Sequence, residues 1–248
     1  MRTIGVIPAR YESTRLKAKV LADIHGKPML QHVWERARRS RLLDDLLIAC
    51  DHELVFQTAK KFGAQAVLTS PDHRCGSDRI AEAVQNLEVD VVINIQGDEP
   101  LITPRVIDSL AGMMRDDPDC LMATVIKSLD SESELMDPNT VKVVIDQNQN
   151  ALYFSRAPIP YGREKTGTTL VGHYKHLGIY AYRKDFLLTF VGLPQGSLEK
   201  AERLEQLRAL EAGYKIKTVL TDIETMSVDT PADLRRVQEF LKQNAFQI

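Results

Sequence analysis

The tightest constraint on this chain is an alternation of short β-rich apolar runs with amphipathic helical segments. Strand-like runs fall at Thr3–Ile7, Leu46–Cys50, Ala66–Leu68, Val89–Ile95 and Leu121–Ile126. Between them, apolar residues recur at helical spacing, as in Met29, Leu30, Val33, Trp34 and Ala37 beside Arg36, Arg38 and Arg39. Similar patterns occupy roughly 53–62, 77–85 and 104–115. Such alternation predicts an α/β fold with a mostly parallel central sheet covered by helices, because parallel neighbours need crossover connections. With no repeat, linker or low-complexity tract, residues 1–248 are expected to form a single domain.

The middle of the chain departs from this rhythm. Val141–Asp146 and Ala151–Ser155 are β-rich runs joined by Gln147–Asn150, which predicts a hairpin. A polar loop over 161–172 and another strand-like run, Leu177–Tyr182, follow. Residues 127–182 therefore read as a smaller antiparallel excursion. A helix is expected over Leu198–Ala212, with Leu198, Ala201, Leu204 and Ala209 facing the core, and then a strand at Ile216–Leu220. The last helix should begin at Thr230, with Thr230 as N-cap, Pro231 in the first helical position and Asp233 returning the capping bond. Asp229 thus sits on the loop entering that helix.

Composition narrows the partners. The 32 Lys and Arg against 34 Asp and Glu give a net charge of −2, which excludes a general nucleic-acid coat protein. No apolar stretch approaches the roughly 20 residues of a membrane helix, so membrane insertion is not expected. Residues 1–10 read as a buried strand rather than a signal-peptide core. Three widely spaced cysteines (Cys50, Cys75, Cys120) show neither zinc-ligand spacing nor an even disulfide framework, which points to a reduced, cytoplasmic protein.

Two stretches carry chemistry. The exit from the first strand gathers Arg10, Arg15, Lys17 and Lys19 within ten residues. Ligands of open α/β sheets bind beyond the carboxyl ends of strands, and a cationic loop there can neutralise a nucleoside triphosphate. It lacks the glycines of a P-loop or of a dinucleotide fingerprint. In the second stretch, Val91–Pro100, an apolar strand ends in Gly97 and presents Asp98 and Glu99 at the same edge. Asp98 is the candidate Mg²⁺ ligand, since Mg²⁺ takes carboxylates, phosphate oxygens and waters. Glu99 is expected to point away along the turn. Alone, such an Asp is more often a cap; facing a cationic loop, it reads as a ligand. Cys75 invites a nucleophile reading, but no base stands at suitable spacing.

Several stretches then align in order with one family. They are Ile7–Lys19, Asp72–Arg79, Asn94–Pro100, Asp137–Val144, Ala151–Arg156 (ALYFSR), His176–Tyr180 (HLGIY), Leu204–Arg208 (LEQLR) and Val228–Pro231 (VDTP). Across nearly its whole length, the chain resembles the 3-deoxy-manno-octulosonate (Kdo) cytidylyltransferases. The resemblance implies a nucleotidyltransferase-type, Rossmann-like three-layer fold and Mg²⁺-dependent transfer of CMP from CTP to Kdo. The products would be CMP-Kdo and pyrophosphate, for lipopolysaccharide assembly. It implies that Arg10 and Lys19, helped by Arg15, hold the triphosphate, with Ser77 and Arg79 at the nucleotide side. Gln96, Arg156, His176, Tyr180, Glu205 and Gln206 would line the sugar pocket, and Asp98 and Asp229 would hold Mg²⁺. Lys19, Asp98 and Asp229 are thereby the implied catalytic set, and a homodimer with contacts from 127–182 is implied as well.

The chain departs from the family's usual RLPGKPL loop, reading Arg15-Leu16-Lys17-Ala18-Lys19-Val20-Leu21. The proline and glycine that shape that loop are replaced by Lys17 and Ala18, which puts its resting conformation in question. Two kinds of alternative stay open: a cytidylyltransferase for sialic acid or 8-amino-Kdo, and a nucleotide-binding relative that no longer turns over.

Overall fold

A computed structural model describes residues 1–12, 16–163, 170 and 172–244 of the chain. Two compact units emerge, Met1–Ala111 with Thr225–Ile248, and Gly112–Glu224.

The first unit is built on four strands: β1 (Thr3–Ala9), β2 (Asp45–Cys50), β3 (Gln65–Leu68) and β4 (Val91–Asn94). All three pairings are parallel, in the order β4-β1-β2-β3. Every residue of β4 is buried, as is β1 apart from Pro8, which is partly exposed. Continuous burial is what a parallel strand covered on both faces requires. Helices Met29–Ala37, Glu53–Lys61 and Gly76–Val84 supply the crossovers, and Met29, Leu30, Val33 and Ala37 are buried on the first of them. Each large aliphatic side chain so buried contributes about 1.5–3 kcal/mol.

The chain leaves β1 toward β2 and β3 on one side, then returns to place β4 on the other. The strand order therefore reverses between β1 and β4, and the crevice beyond their carboxyl ends is the ligand position of open α/β sheets. Gly97 permits this crevice to be narrow: a Cβ there would lie 2.8 Å from the Pro8 carbonyl oxygen.

The second unit holds β5 (Met122–Ser128), β6 (Lys142–Ile145), β7 (Ala151–Ser155), β8 (Tyr174–Arg183) and β9 (Lys217–Thr221). β9 runs parallel to β5, whereas β8 is antiparallel to β5 and β6, and β6 to β7. The antiparallel excursion read from 127–182 is present among its described residues, and its hairpin turn is closed by Asp146, whose carboxylate accepts from the Asn148 and Asn150 amides at 2.8 Å.

One expected element is not continuous. In place of a helix over Leu198–Ala212 there are two short helices, Ser197–Glu202 and Leu207–Glu211. Arg203, at φ 53°, ends the first in the left-handed conformation typical of a helix stop. Leu204 and Ala209 are buried as expected, but Leu198 and Ala201 are exposed. The two pieces are clamped by Arg208, which donates to both Glu199 carboxylate oxygens at 2.8 and 2.7 Å.

Candidate active site

Beyond β1 and β4 lies a cavity of about 270 Å³, lined by Arg10, Lys19, Arg74, Arg79, Gln96 and Asp98 among others. Cys75 and Gly76 also line it, so the start of helix Gly76–Val84 borders the same space. Four cations and a helix N-terminus favour an anion there. Ser77 is buried in the first turn of that helix. Arg79 is buried too, and its guanidinium is held by Asp51 at 3.0 Å and the Thr69 hydroxyl at 2.6 Å. Asp51 also accepts from the Tyr11 amide at 2.8 Å, which ties the loop after β1 to the end of β2. Arg15 lies outside the described residues.

At the edge of this cavity three side chains from distant parts of the chain meet. The Lys19 ammonium donates to Asp98 Oδ2 at 2.6 Å and to Asp229 Oδ1 at 2.9 Å. The two carboxylates raise the Lys19 pKa against the lowering effect of its burial. Local structure sets each partner. Lys19 opens a single 3₁₀ turn (Lys19–Leu21) that follows Ala18, which stands at φ 50° and ψ 40°. Asp98 follows the Gly97 turn, and its carbonyl accepts from the Val228 amide at 2.9 Å, bringing Asp229 alongside. Asp229 enters the helix Pro231–Gln243 through the expected capping box between Thr230 and Asp233. Burial alone would raise the Asp233 carboxyl, but hydrogen bonds from Thr230 and Arg236 bring it down to about 2.

Asp98 and Asp229 keep 28% and 41% of their side-chain surface exposed, so both can still reach a ligand. Two carboxylates that already share one cation fit a hard, oxygen-liganded divalent ion that keeps several waters. Among the described residues no cluster of three His, Cys, Asp or Glu side chains with metal-holding placement occurs. The remaining ligands would be phosphate oxygens and water. Glu99 turns inward from the strand edge and is 6% exposed, with its carboxyl pushed up to about 8 by burial and by the Asp98 charge.

The remaining candidates lie in the second unit, except Gln96, which lines the cavity already described. Arg156 is fixed by protein carbonyls: it donates to Glu202 at 2.8 Å and to Pro138 at 2.9 Å. Its amide donates to the Glu202 carboxylate at 2.9 Å, and Ser155 donates to the same carboxylate at 2.6 Å. His176 and Tyr180 flank a β-bulge. β8 advances from Leu177 to Tyr180 while its partner β5 moves only from Val125 to Thr124. HLGIY is therefore a bulge, a device that re-aims side chains.

The His176 ring stands 5.1 Å from Phe154 and 5.3 Å from Tyr180, and its Nε2 lies 2.9 Å from the Thr124 hydroxyl. That hydroxyl lies 2.8 Å from the Ile179 carbonyl, to which it donates, so it accepts from His176 Nε2–H and leaves Nδ1 as an acceptor. Burial pushes the imidazole down to about 3, and burial likewise raises the Tyr180 phenol, helped by Tyr182 and Glu205. Glu205 and Gln206 sit in the break between the two short helices, not on a continuous helix face. Gln206 is 4% exposed, and its amide nitrogen donates to no described atom.

The profile of the family described as "Cytidylyltransferase" matches residues 4–216. The 3-deoxy-manno-octulosonate cytidylyltransferase of Solibacter usitatus is 48% identical over 246 residues, covering 99% of this chain and 97% of its own length. That of Syntrophus aciditrophicus is 48% identical over 243 residues, covering 97% of each chain. This chain belongs to the 3-deoxy-manno-octulosonate cytidylyltransferase family.

A solved structure described as CMP:2-keto-3-deoxy-manno-octonic acid synthetase complexed with CTP superposes with a TM-score of 0.93 at 45% identity, covering 98% of this chain and 100% of its own. A cytidylyltransferase from Leptospira borgpetersenii, at 14% identity and a TM-score of 0.66, shares the fold. The fold is thus the α/β nucleotidyltransferase type expected from the sequence. Two residues that shape the site had no role in the sequence reading: Arg74, which lines the cavity, and Asp51, which holds Arg79 in its wall. Both carry a local signal: Arg74 stands just before the Cys75 helix cap, and Asp51 directly follows the buried end of a strand.

Proposed function

We propose that this chain transfers CMP from CTP to the anomeric hydroxyl of Kdo, releasing pyrophosphate, with Mg²⁺ held by Asp98 and Asp229. The observation that carries this reading is the meeting of Lys19, Asp98 and Asp229 beside a cation-lined cavity in a chain of this family. Arg10, Lys19 and Arg74 would hold the triphosphate by charge-assisted hydrogen bonds, with Arg15 as a further cation. The buried Arg79 would act mainly by fixing the cavity wall through Asp51. Ser77 stands in the first turn of the helix bordering the nucleotide.

In the transfer, the Kdo hydroxyl oxygen bonds to the α-phosphorus as the bridging bond to the β-phosphate breaks. The proton leaves to solvent. Such transfers depend on positioning and charge neutralisation more than on covalent help from the protein. A divalent cation on the two carboxylates would make the attacking hydroxyl more acidic and offset the charge that develops at phosphorus. Gln96, at the Asp98 end of the cavity, would hold the sugar near the carboxylates.

Kdo carries a carboxylate, which suits the pre-positioned Arg156, and several hydroxyls, which suit the His176 acceptor, Tyr180 and Glu205. The buried, undonated Gln206 amide supports a polar ligand at that place, since such groups are normally satisfied. CTP supply and the buried free thiols Cys50 and Cys120 support a cytoplasmic setting. No helix among the described residues is long and apolar enough to cross a membrane. A homodimer using residues from 127–182 is part of the same proposal, supported by the exposed Met136 and Leu152.

The test is pyrophosphate release from CTP and Mg²⁺ with Kdo, run beside sialic acid and 8-amino-Kdo. Release with Kdo above the other two is expected. Preference for either rival sugar would move the assignment within the cytidylyltransferases. No release with any of the three would favour a nucleotide-binding protein without turnover.

A further inference from the structure

The Lys19 ammonium occupies the space that both carboxylates face, 2.6 Å from Asp98 and 2.9 Å from Asp229. A metal held by both carboxylates and this ammonium compete for the same oxygens. Lys19 is 12% exposed, so it cannot leave for bulk water without losing two short ion pairs. Another anion within its reach removes that loss. The cavity it lines, with Arg10, Arg74 and Arg79 around it, is where such an anion would sit.

We propose that Lys19 is a built-in counter-ion that keeps the Asp98–Asp229 pair closed to divalent metal until a polyphosphate draws the ammonium away. The inference rests on the reading of Asp98 and Asp229 as the metal ligands. Without nucleotide, the ammonium neutralises one of the two carboxylate charges and holds the pair together against its own repulsion. With a triphosphate in the cavity, the ammonium exchanges carboxylate oxygens for phosphate oxygens, and a divalent ion can take its place on the pair. Metal and nucleotide then tighten each other's binding by the same factor, as linkage requires. The consequence is an enzyme that does not assemble its full metal site around an empty cavity.

The experiment titrates Mn²⁺ into the full-length chain without nucleotide, reading free Mn²⁺ by electron paramagnetic resonance. Lys19→Gln is expected to bind Mn²⁺ about tenfold or more tightly than the wild type, within the usual range of coupling between sites. Lys19→Arg keeps the charge and is expected to stay with the wild type. Adding Asp98→Asn to Lys19→Gln is expected to abolish the tight site. Circular dichroism and thermal melts establish folding, and Lys19→Met replaces Lys19→Gln if the amide variant does not fold.

A Lys19→Gln chain that binds no more tightly than wild type overturns the proposal. So does a Lys19→Arg chain that binds as tightly as Lys19→Gln, or a tight site that survives Asp98→Asn. The metal reading is tested separately with CTP present, where wild type is expected to hold more Mn²⁺ per chain than Asp98→Asn. Equal counts there would remove the carboxylates as metal ligands, whatever Lys19 does.

Discussion

Ala18→Gly isolates the strain stored immediately before Lys19. Ala18 stands at φ 50° and ψ 40°, and its carbonyl accepts from the Leu21 amide at 2.8 Å to start the 3₁₀ turn. For an L-residue with a Cβ, the left-handed region costs roughly 1–2 kcal/mol. Glycine removes that cost but loses about 0.5–1 kcal/mol more backbone freedom on folding. The difference predicts a net gain of about 0.5–1 kcal/mol. For a chain of this size, that is a rise in melting temperature of about 1–4 °C. Urea unfolding should show the midpoint moving up with an unchanged slope. The opposite arm is Ala18→Val, where a β-branched side chain at positive φ should cost about 1 kcal/mol or more. Because the Lys19 contacts are unaltered, kcat/KM of Ala18→Gly should stay within about twofold of wild type. A glycine variant less stable than wild type, or a valine variant equal to it, would refute the assignment of strain to this position.

The remaining predictions concern the site and its supports. Asp98→Asn and Asp229→Asn should each lower turnover by about 100-fold, as losses of transition-state charge stabilisation do; near-wild-type pyrophosphate release from a folded Asp98→Asn chain would end the metal assignment. Arg79→Met should cost about 3 kcal/mol or more in urea unfolding, because it leaves Asp51 at a largely buried position without its cation. Gly97→Ala should destabilise by about 1–3 kcal/mol and depress turnover with it, since the new Cβ meets the Pro8 carbonyl oxygen at 2.8 Å and moves Asp98; unchanged kinetics would show that the crevice can widen freely. His176, lowered to about 3 by burial, stays neutral in the folded chain while the unfolded chain takes up a proton below 6.5. Its contribution to stability is therefore intact above pH 6.5 and is lost as pH falls toward 3, at up to about 1.4 kcal/mol per pH unit. Unfolding measured at pH 7 and pH 5 should show His176→Gln losing less stability than wild type over that interval.

Elements whose signals are local were legible in the sequence. The β1 and β4 runs, the helix at Met29 and the Thr230–Asp233 capping box depend on apolar period and side-chain-to-backbone bonds within a few residues. The break at Arg203 was not legible, because residues 198–212 read equally well as one helix. What divides them is the left-handed Arg203 and the Glu199–Arg208 ion pair that clamps the two pieces. Asp98 was rightly preferred to Glu99 as the acid facing the cavity, but the burial of Glu99 was not legible, because it is set by packing around the turn and not by neighbours in sequence.

The sequence by itself determined the order of strands and helices and the residue types available for the chemistry. Arg10 and Lys19, from a cationic loop beyond a strand, and Asp98, from an acid after a Gly turn, could be named before any fold was known, whereas Asp229 was named through the family resemblance. Only the tertiary structure decided that Lys19 and Asp229, 210 positions apart, share an ion pair with Asp98 between them in sequence. Such convergence depends on strand order at the β1–β4 crevice, on the bond that the Val228 amide donates to the Asp98 carbonyl, and on the packing of Val228 against Ile24, Met29 and Leu101. None of these leaves a trace in local composition, because the energy that fixes them is spent across the fold and not along the chain.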